Sequence, residues 1–122
     1  MDAFNRLAEQ IVEHPDLADV WNRGIDDYES LEGVDRTRFN SRMHQVFRNL
    51  EDAYHQHLEG HLDPRVWRKV EATMRDINGY PGVQAWWRSR SHWFREDFAK
   101  HVNQLQQTAT APRLFREANA DH

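Results

Sequence analysis

From Phe39 to Leu58 the chain keeps apolar or ring-bearing side chains at steps of three and four: Phe39, Met43, Val46, Phe47, Leu50, Ala53, Tyr54, His57 and Leu58. Sustained over about five turns, that spacing lays one continuous stripe along an α-helix; a strand would send successive side chains to opposite faces. So long a stripe needs neighbours to cover it, and the rest of the chain must supply them. The spacing predicts a helix that begins between Glu32 and Asp35 and runs to about Glu59, third in chain order and the spine of the fold. No segment alternates apolar with polar residues long enough for a strand, and nothing repeats at a fixed period. The expected fold is all-α, an irregular bundle of five to six helices around this long central third helix.

The remaining elements read from their punctuation. Phe4, Leu7, Ala8, Ile11 and Val12 line one side of a first helix over about Ala3–His14. Pro15 suits the first turn of a second helix, where its missing N–H would be unpaired anyway and where Asp16 and Asp19 meet the positive end of the dipole. Leu17, Val20, Trp21 and Tyr28 mark its buried side, Gly24 admits a close neighbour, and the helix frays near Ser30–Gly33. Gly60 supplies a left-handed stop after the spine. The run "HLDPRVW" then restarts the chain, with Asp63 as N-cap, Pro64 at the first helical position and Leu62 packed on Trp67.

The fourth helix buries Val66, Trp67, Val70, Met74 and Ile77 and ends near Asn78–Gly82. A short fifth helix after Pro81 bears Val83, Trp86 and Trp87, and a break over Ser91–Arg95 leads to a sixth with Phe98, Val102 and Leu105. Residues 1–107 read as a single helical-bundle domain. Residues 108–122 read as a C-terminal tail, mobile or docked on a partner subunit through Leu114 and Phe115.

What fills the core is the next constraint. Leu, Ile, Val and Phe number only 25 of 122 residues, near the lower edge for a chain that folds. Five Trp, three Tyr and three Met must make up the difference, so the core is expected to be aromatic, each ring burying on the order of 150–250 Å². A chain of this length supports one such core. With no cysteine, disulfides, thiolate metal sites and cysteine nucleophiles are excluded. No apolar run approaches the roughly 18 residues of a spanning helix, and the start lacks the apolar core of a signal peptide. The chain is therefore expected to be soluble and cytoplasmic, with no membrane span.

The net charge of −4 conceals a polarity: residues 1–63 carry net −8 and residues 64–101 net +4. Such a chain can associate head to tail or present one face to a charged partner, although two solvated faces that partly neutralise each other explain the balance as well.

The stretch "AYHQHLEGHLD" raises the question of a metal. His55 and His57 would share an ion on extended backbone, but on a helix they diverge by about 200°. His57 and His61 have the i, i+4 spacing used by helical zinc sites, yet Gly60 places His61 in the turn. A site built on His57, Glu59 and His61 would need a distant ligand such as His44, His92 or His101. The packing reading puts His57 half-buried at a core edge and His55 and His61 in water, and it is favoured.

A second stretch, "AWWRSRSHWFRED", interleaves four aromatic rings with arginines. This composition can stack bases and neutralise phosphates, or sit at a membrane interface. The acidic chain, with pI near 6, and the absence of a groove-reading motif argue against nucleic acid. Trp86 and Trp87 span about 100° on a helix, so one is expected in the core and the other at a groove. No phosphate loop, nucleophile elbow or helical H-E-x-x-H occurs. The acid pairs Asp26/Asp27 and Glu51/Asp52 are expected on exposed helix faces. No catalytic or cofactor-binding residue is assigned, and no cofactor is expected.

Taken together, "HPDLADVWNRGIDDYESL", "FRNLEDAYHQHLEGHLDPRVW" and "YPGVQAWWRSRSHWFREDFAKHV" resemble a family of small, functionally uncharacterised bacterial proteins, over about residues 9–105. The resemblance implies an all-helical domain, in many members preceded by a transmembrane anchor that this sequence lacks, and a place near the inner membrane face. It implies no activity and no catalytic residues. Aromatic residues commonly stand in that family where this chain has His55 and His57, which fits rings used for packing.

The function expected on these grounds is a non-enzymatic helical interaction module, self-associating, that meets a protein partner or a second copy through an exposed aromatic edge at Trp86, Trp87, Trp93 and Phe94. The alternative is a metal-binding or histidine-dependent enzyme using His57, Glu59 and His61. A small-ligand sensor with a tryptophan-lined pocket is a third reading.

Overall fold

The computed structural model describes residues 15–108. The helix expected over Ala3–His14, the tail with Leu114 and Phe115, and the side chain of Leu17 lie outside the described residues. Among those described, five α-helices and no strand make the fold all-α: α1 (Pro15–Asp26), α2 (Gly33–Leu58), α3 (Pro64–Ile77), α4 (Pro81–Arg90) and α5 (Glu96–Gln107). Two short 3-10 turns, Tyr28–Ser30 and Ser91–Trp93, precede α2 and α5.

The predicted stripe forms one helix of 26 residues, and Phe39, Met43, Val46, Phe47, Leu50 and Ala53 along it are buried. Its end is set as its sequence dictates. Gly60 adopts φ 76°, a left-handed conformation that costs other residues about 1–2 kcal/mol, and the His61 N–H donates back to the Gln56 carbonyl at 2.8 Å. The next helix starts at Asp63, whose Oδ1 accepts the Arg65 N–H at 2.7 Å, with Pro64 in its first turn.

Two expectations along these helices fail at their edges. Leu58 and Val66 belong to the apolar stripes by spacing, but they are 54% and 39% exposed. Each sits where its helix meets the turn at Gly60, beyond the reach of the neighbours that cover the inner part of the stripe.

α4 packs on α1 and on the Tyr28–Ser30 turn, while α2 packs against α1, α3 and α5. Two glycines allow this. A Cβ on Gly82 would overlap the Gly24 carbonyl oxygen, and one on Gly24 would enter the Phe39 ring. The close neighbour expected at Gly24 is thus the Phe39 ring, while the Gly24 carbonyl lies against Gly82, a position that spacing alone does not single out. The buried Asn78 ties the far corner. Its amide donates to the Met74 carbonyl at 2.8 Å, its Oδ1 accepts from Gln106 at 2.7 Å, and its carbonyl accepts from Gln84 at 2.9 Å, joining α3, α4 and α5.

The glycine contact predicts an asymmetry. Gly82→Ala must separate two backbones and is expected to cost about 3 kcal/mol, whereas Gly60→Ala meets open space and costs about 1 kcal/mol for its positive φ. Thermal unfolding followed by circular dichroism measures both, and equal losses would contradict the close crossing.

Candidate functional site

The centre of the molecule is aromatic. Phe47 lies 5.1 Å from Trp86 and 5.2 Å from Trp87 between ring centroids, with Phe94 and Phe98 closing round it at 6.2 and 6.5 Å. Three of the four residues expected to form an exposed edge, Trp86, Trp87 and Phe94, are therefore core residues. Both indoles turn inward because α4 is covered on two sides, by α1 on one and by α2 and α5 on the other. The Trp87 indole N–H donates to Asn103 Oδ1 at 2.8 Å. Only Trp93 reaches the surface, at 51% exposure.

Trp93 borders a shallow groove of about 310 Å³ between the N-terminal half of α2 and the Ser91–Trp93 turn, lined by Thr37, Asn40, Ser41, His44, Arg90 and Trp93. It is the one tryptophan in that lining. Helical spacing explains the α2 wall, since 37, 41 and 44 recur at steps of four and three. The Arg90 guanidinium lies 5.0 Å over the Trp93 ring, a contact worth about 0.5–1 kcal/mol at an exposed site. Its other contacts, to the Ser89 carbonyl and hydroxyl, are long at 3.5 Å, and it has no carboxylate partner among the described residues.

His44 forms the inner wall. Arg48 Nε donates to its Nε2 at 3.2 Å, which leaves the neutral ring's proton on Nδ1, buried and without a partner, beside Trp93 and Phe94 at 5.5 and 5.6 Å. Burial holds this imidazole below its ordinary range, assisted by the charges of Arg48 and Arg90 and opposed by Glu51.

Glu51 also departs from expectation. Placed by sequence on an exposed face with Asp52, it is 5% exposed, accepting from Arg48 at 3.2 Å and from the Arg95 backbone N–H at 2.9 Å. It therefore fixes the loop after Trp93 against α2. His55 is corrected likewise: expected in water, its ring is largely covered and bonds Asp97 at 3.2 Å. That bond holds the Asp97 carboxyl below the usual carboxylate range, with the Phe98 N–H adding to it.

The histidine cluster is dispersed. His57 is half-buried, its ring stacked on Trp67 at 4.0 Å and 5°; His61 is exposed in the turn with its Nδ1 3.4 Å from the Glu59 carboxylate. Among the described residues no three His, Cys, Asp or Glu side chains converge as a metal-ligand set. At the His57/Glu59/His61 site considered from sequence, the helix end at Gly60 sends the two imidazoles to different surroundings. Of the distant candidates, His101 stacks on Tyr54 at 4.8 Å, while His44 and His92 flank Trp93.

No helix among the described residues is long and apolar enough to cross a membrane. Comparison with protein-family models, curated proteins and solved structures found no match.

The half-buried imidazoles of His44 and His101 generate a pH dependence. Burial lowers His101 as it does His44; Glu71 opposes the shift and Arg75 and His57 assist it. With folded values below the ordinary 6.5, the unfolded chain takes up protons first, so their contribution is present above about pH 6.5 and lost as pH falls through the folded values. The melting temperature is expected to fall between pH 7.5 and 5.5, and to fall less in the His44→Gln/His101→Gln variant. The depressed carboxylates Asp63 and Asp97 act only in more acid solution. A drop of equal size in the double variant would contradict this assignment.

Proposed function

We propose that the chain is a non-enzymatic helical interaction module that self-associates through the groove at Trp93. The observation that carries the reading is the placement of the tryptophans. Trp21, Trp67, Trp86 and Trp87 are buried in a core short of aliphatic residues, and Trp93 alone is left half in water. Covering the exposed part of that ring is worth about 2 kcal/mol, a driving force the monomer leaves unused.

The surroundings support the reading. Exposed Trp and Arg are the side chains that most often anchor protein interfaces. Here they occur together, with the groove wall behind Trp93 fixed by the Glu51 bonds to Arg48 and Arg95. A wall already ordered loses less entropy when a partner docks. His57 is stacked on Trp67 and His61 stands in the turn beside Glu59, an arrangement that favours packing and solvation over a shared ligand at these positions. The bacterial family the sequence resembles adds no activity to set against this reading.

Sedimentation velocity of the full chain over a range of concentrations tests it. The wild type is expected to associate with rising concentration. Trp93→Ser is expected to weaken association by roughly tenfold or more while leaving the melting temperature nearly unchanged. A chain that stays monomeric at its highest soluble concentration, or a Trp93→Ser variant that associates like wild type, would sink the proposal.

A further inference from the structure

The groove runs between two unlike ends. At one stand Trp93 and Arg90, which has no carboxylate partner among the described residues, with His44 and Arg48 beside them. At the other, one turn of α2 before Thr37, stands Val34, the most exposed large apolar side chain among the described residues at 66%. Val34 lies in the stretch "DDYESLEGVD", residues 26–35, which carries five carboxylates and no basic residue. Asp35 is engaged by Arg23 at 3.0 Å, but Glu29 and Glu32 are exposed and have no cationic partner among the described residues. Each end thus joins an exposed apolar side chain to an uncompensated charge, and the two charges are opposite.

Between them the α2 wall of the groove is Thr37, Asn40, Ser41 and His44, of which Thr37 and Ser41 are small enough for another helix to approach closely, with Arg38 and Gln45 at its margin. From Val34 to His44 the face extends about 15 Å. A strip that is acidic and apolar at one end, basic and apolar at the other, is complementary to itself when a second copy is turned end for end. That is the requirement of a two-fold interface, in which each patch on one copy meets its counterpart on the other. In the parallel arrangement Arg90 would face Arg90 and the acidic turn would face its like.

We propose that a second copy of this chain packs on the first by a two-fold axis near Ser41, α2 against α2 in antiparallel sense, with Trp93 and Arg90 of each copy against Val34 and Glu32 of the other. This rests on the self-association reading above and specifies its partner surface and register. The closed pairing uses both ends of the strip at once, so association stops at two chains.

The chain has no cysteine, which makes the axis directly testable. Ser41→Cys is expected to form a disulfide-linked dimer at least tenfold faster than Lys69→Cys, an exposed position on α3, under the same oxidant and dilute protein. Crosslinking of Ser41→Cys no faster than the control would overturn the register. Charge exchange gives a second, independent readout. Arg90→Glu alone and Glu32→Arg alone should each associate at least tenfold more weakly than wild type. Mixed one to one, they should form a two-chain species. In that pair the two introduced side chains, of opposite charge, face each other at one end of the strip, and the native Glu32 of one copy faces the native Arg90 of the other at the opposite end. A mixture that stays monomeric, or wild type that grows into species larger than two chains, would overturn the two-fold pairing while leaving self-association itself standing. A monomeric wild type would sink both.

Discussion

Phe47 stands at the centre of the aromatic packing, with Trp86, Trp87, Phe94 and Phe98 around its ring. It lies on the inner side of the longest described helix and meets rings from α4, from the following turn and from α5, so one side chain joins three stretches of chain that are distant in sequence. Indoles can reach it only because the start of α4 lies directly on the backbone of α1, where Gly82 meets Gly24. In a chain with few aliphatic residues the aromatic centre carries the burial that leucines carry elsewhere. Without the glycine crossing, α4 would stand away from α2 and that burial would be lost.

The same economy shapes the surface. Once Trp86, Trp87, Phe94 and Phe98 have entered the core, the short turn that links α4 to α5 has no room inside for a further indole, and Trp93 is turned outward onto His44. Glu51 holds that turn in place from beneath, taking the Arg95 N–H at the start of α5 on one oxygen and Arg48 on the other. Core and candidate interface are therefore coupled: the bonds that seat α5 also determine where Trp93 stands. His44, half-buried and bonded to Arg48 through its Nε2, belongs to both, as part of the aromatic packing and as the inner wall of the groove.

What is legible in the sequence is local. The stripe from Phe39 to Ala53, the stop at Gly60 and the restart at Asp63–Pro64 follow from spacing and from residues whose backbone preferences act within a turn. The errors lie where a partner comes from far along the chain. Glu51 reads as solvated because its bond to Arg95 spans 44 positions, and His55 reads as solvated because Asp97 lies 42 positions away. Helical geometry separates Trp86 from Trp87 by about 100°, which suggests that one must face outward, but a helix covered on two sides buries both. Gly82 carries no signal of its own, because its reason is a carbonyl on another helix. Spacing offers Trp93 only as one of four candidates, and the packing of the other three singles it out.

The tryptophans divide between core and surface, with Trp93 alone outside. Iodide quenching of tryptophan fluorescence on the folded chain tests this division most directly, compared with a Trp93→Phe variant. A single accessible class is expected in the wild type, matching one of the five indoles, and it should disappear in the variant. Accessible fluorescence that persists in Trp93→Phe would show that another indole faces water, and would contradict both the core and the groove built on it.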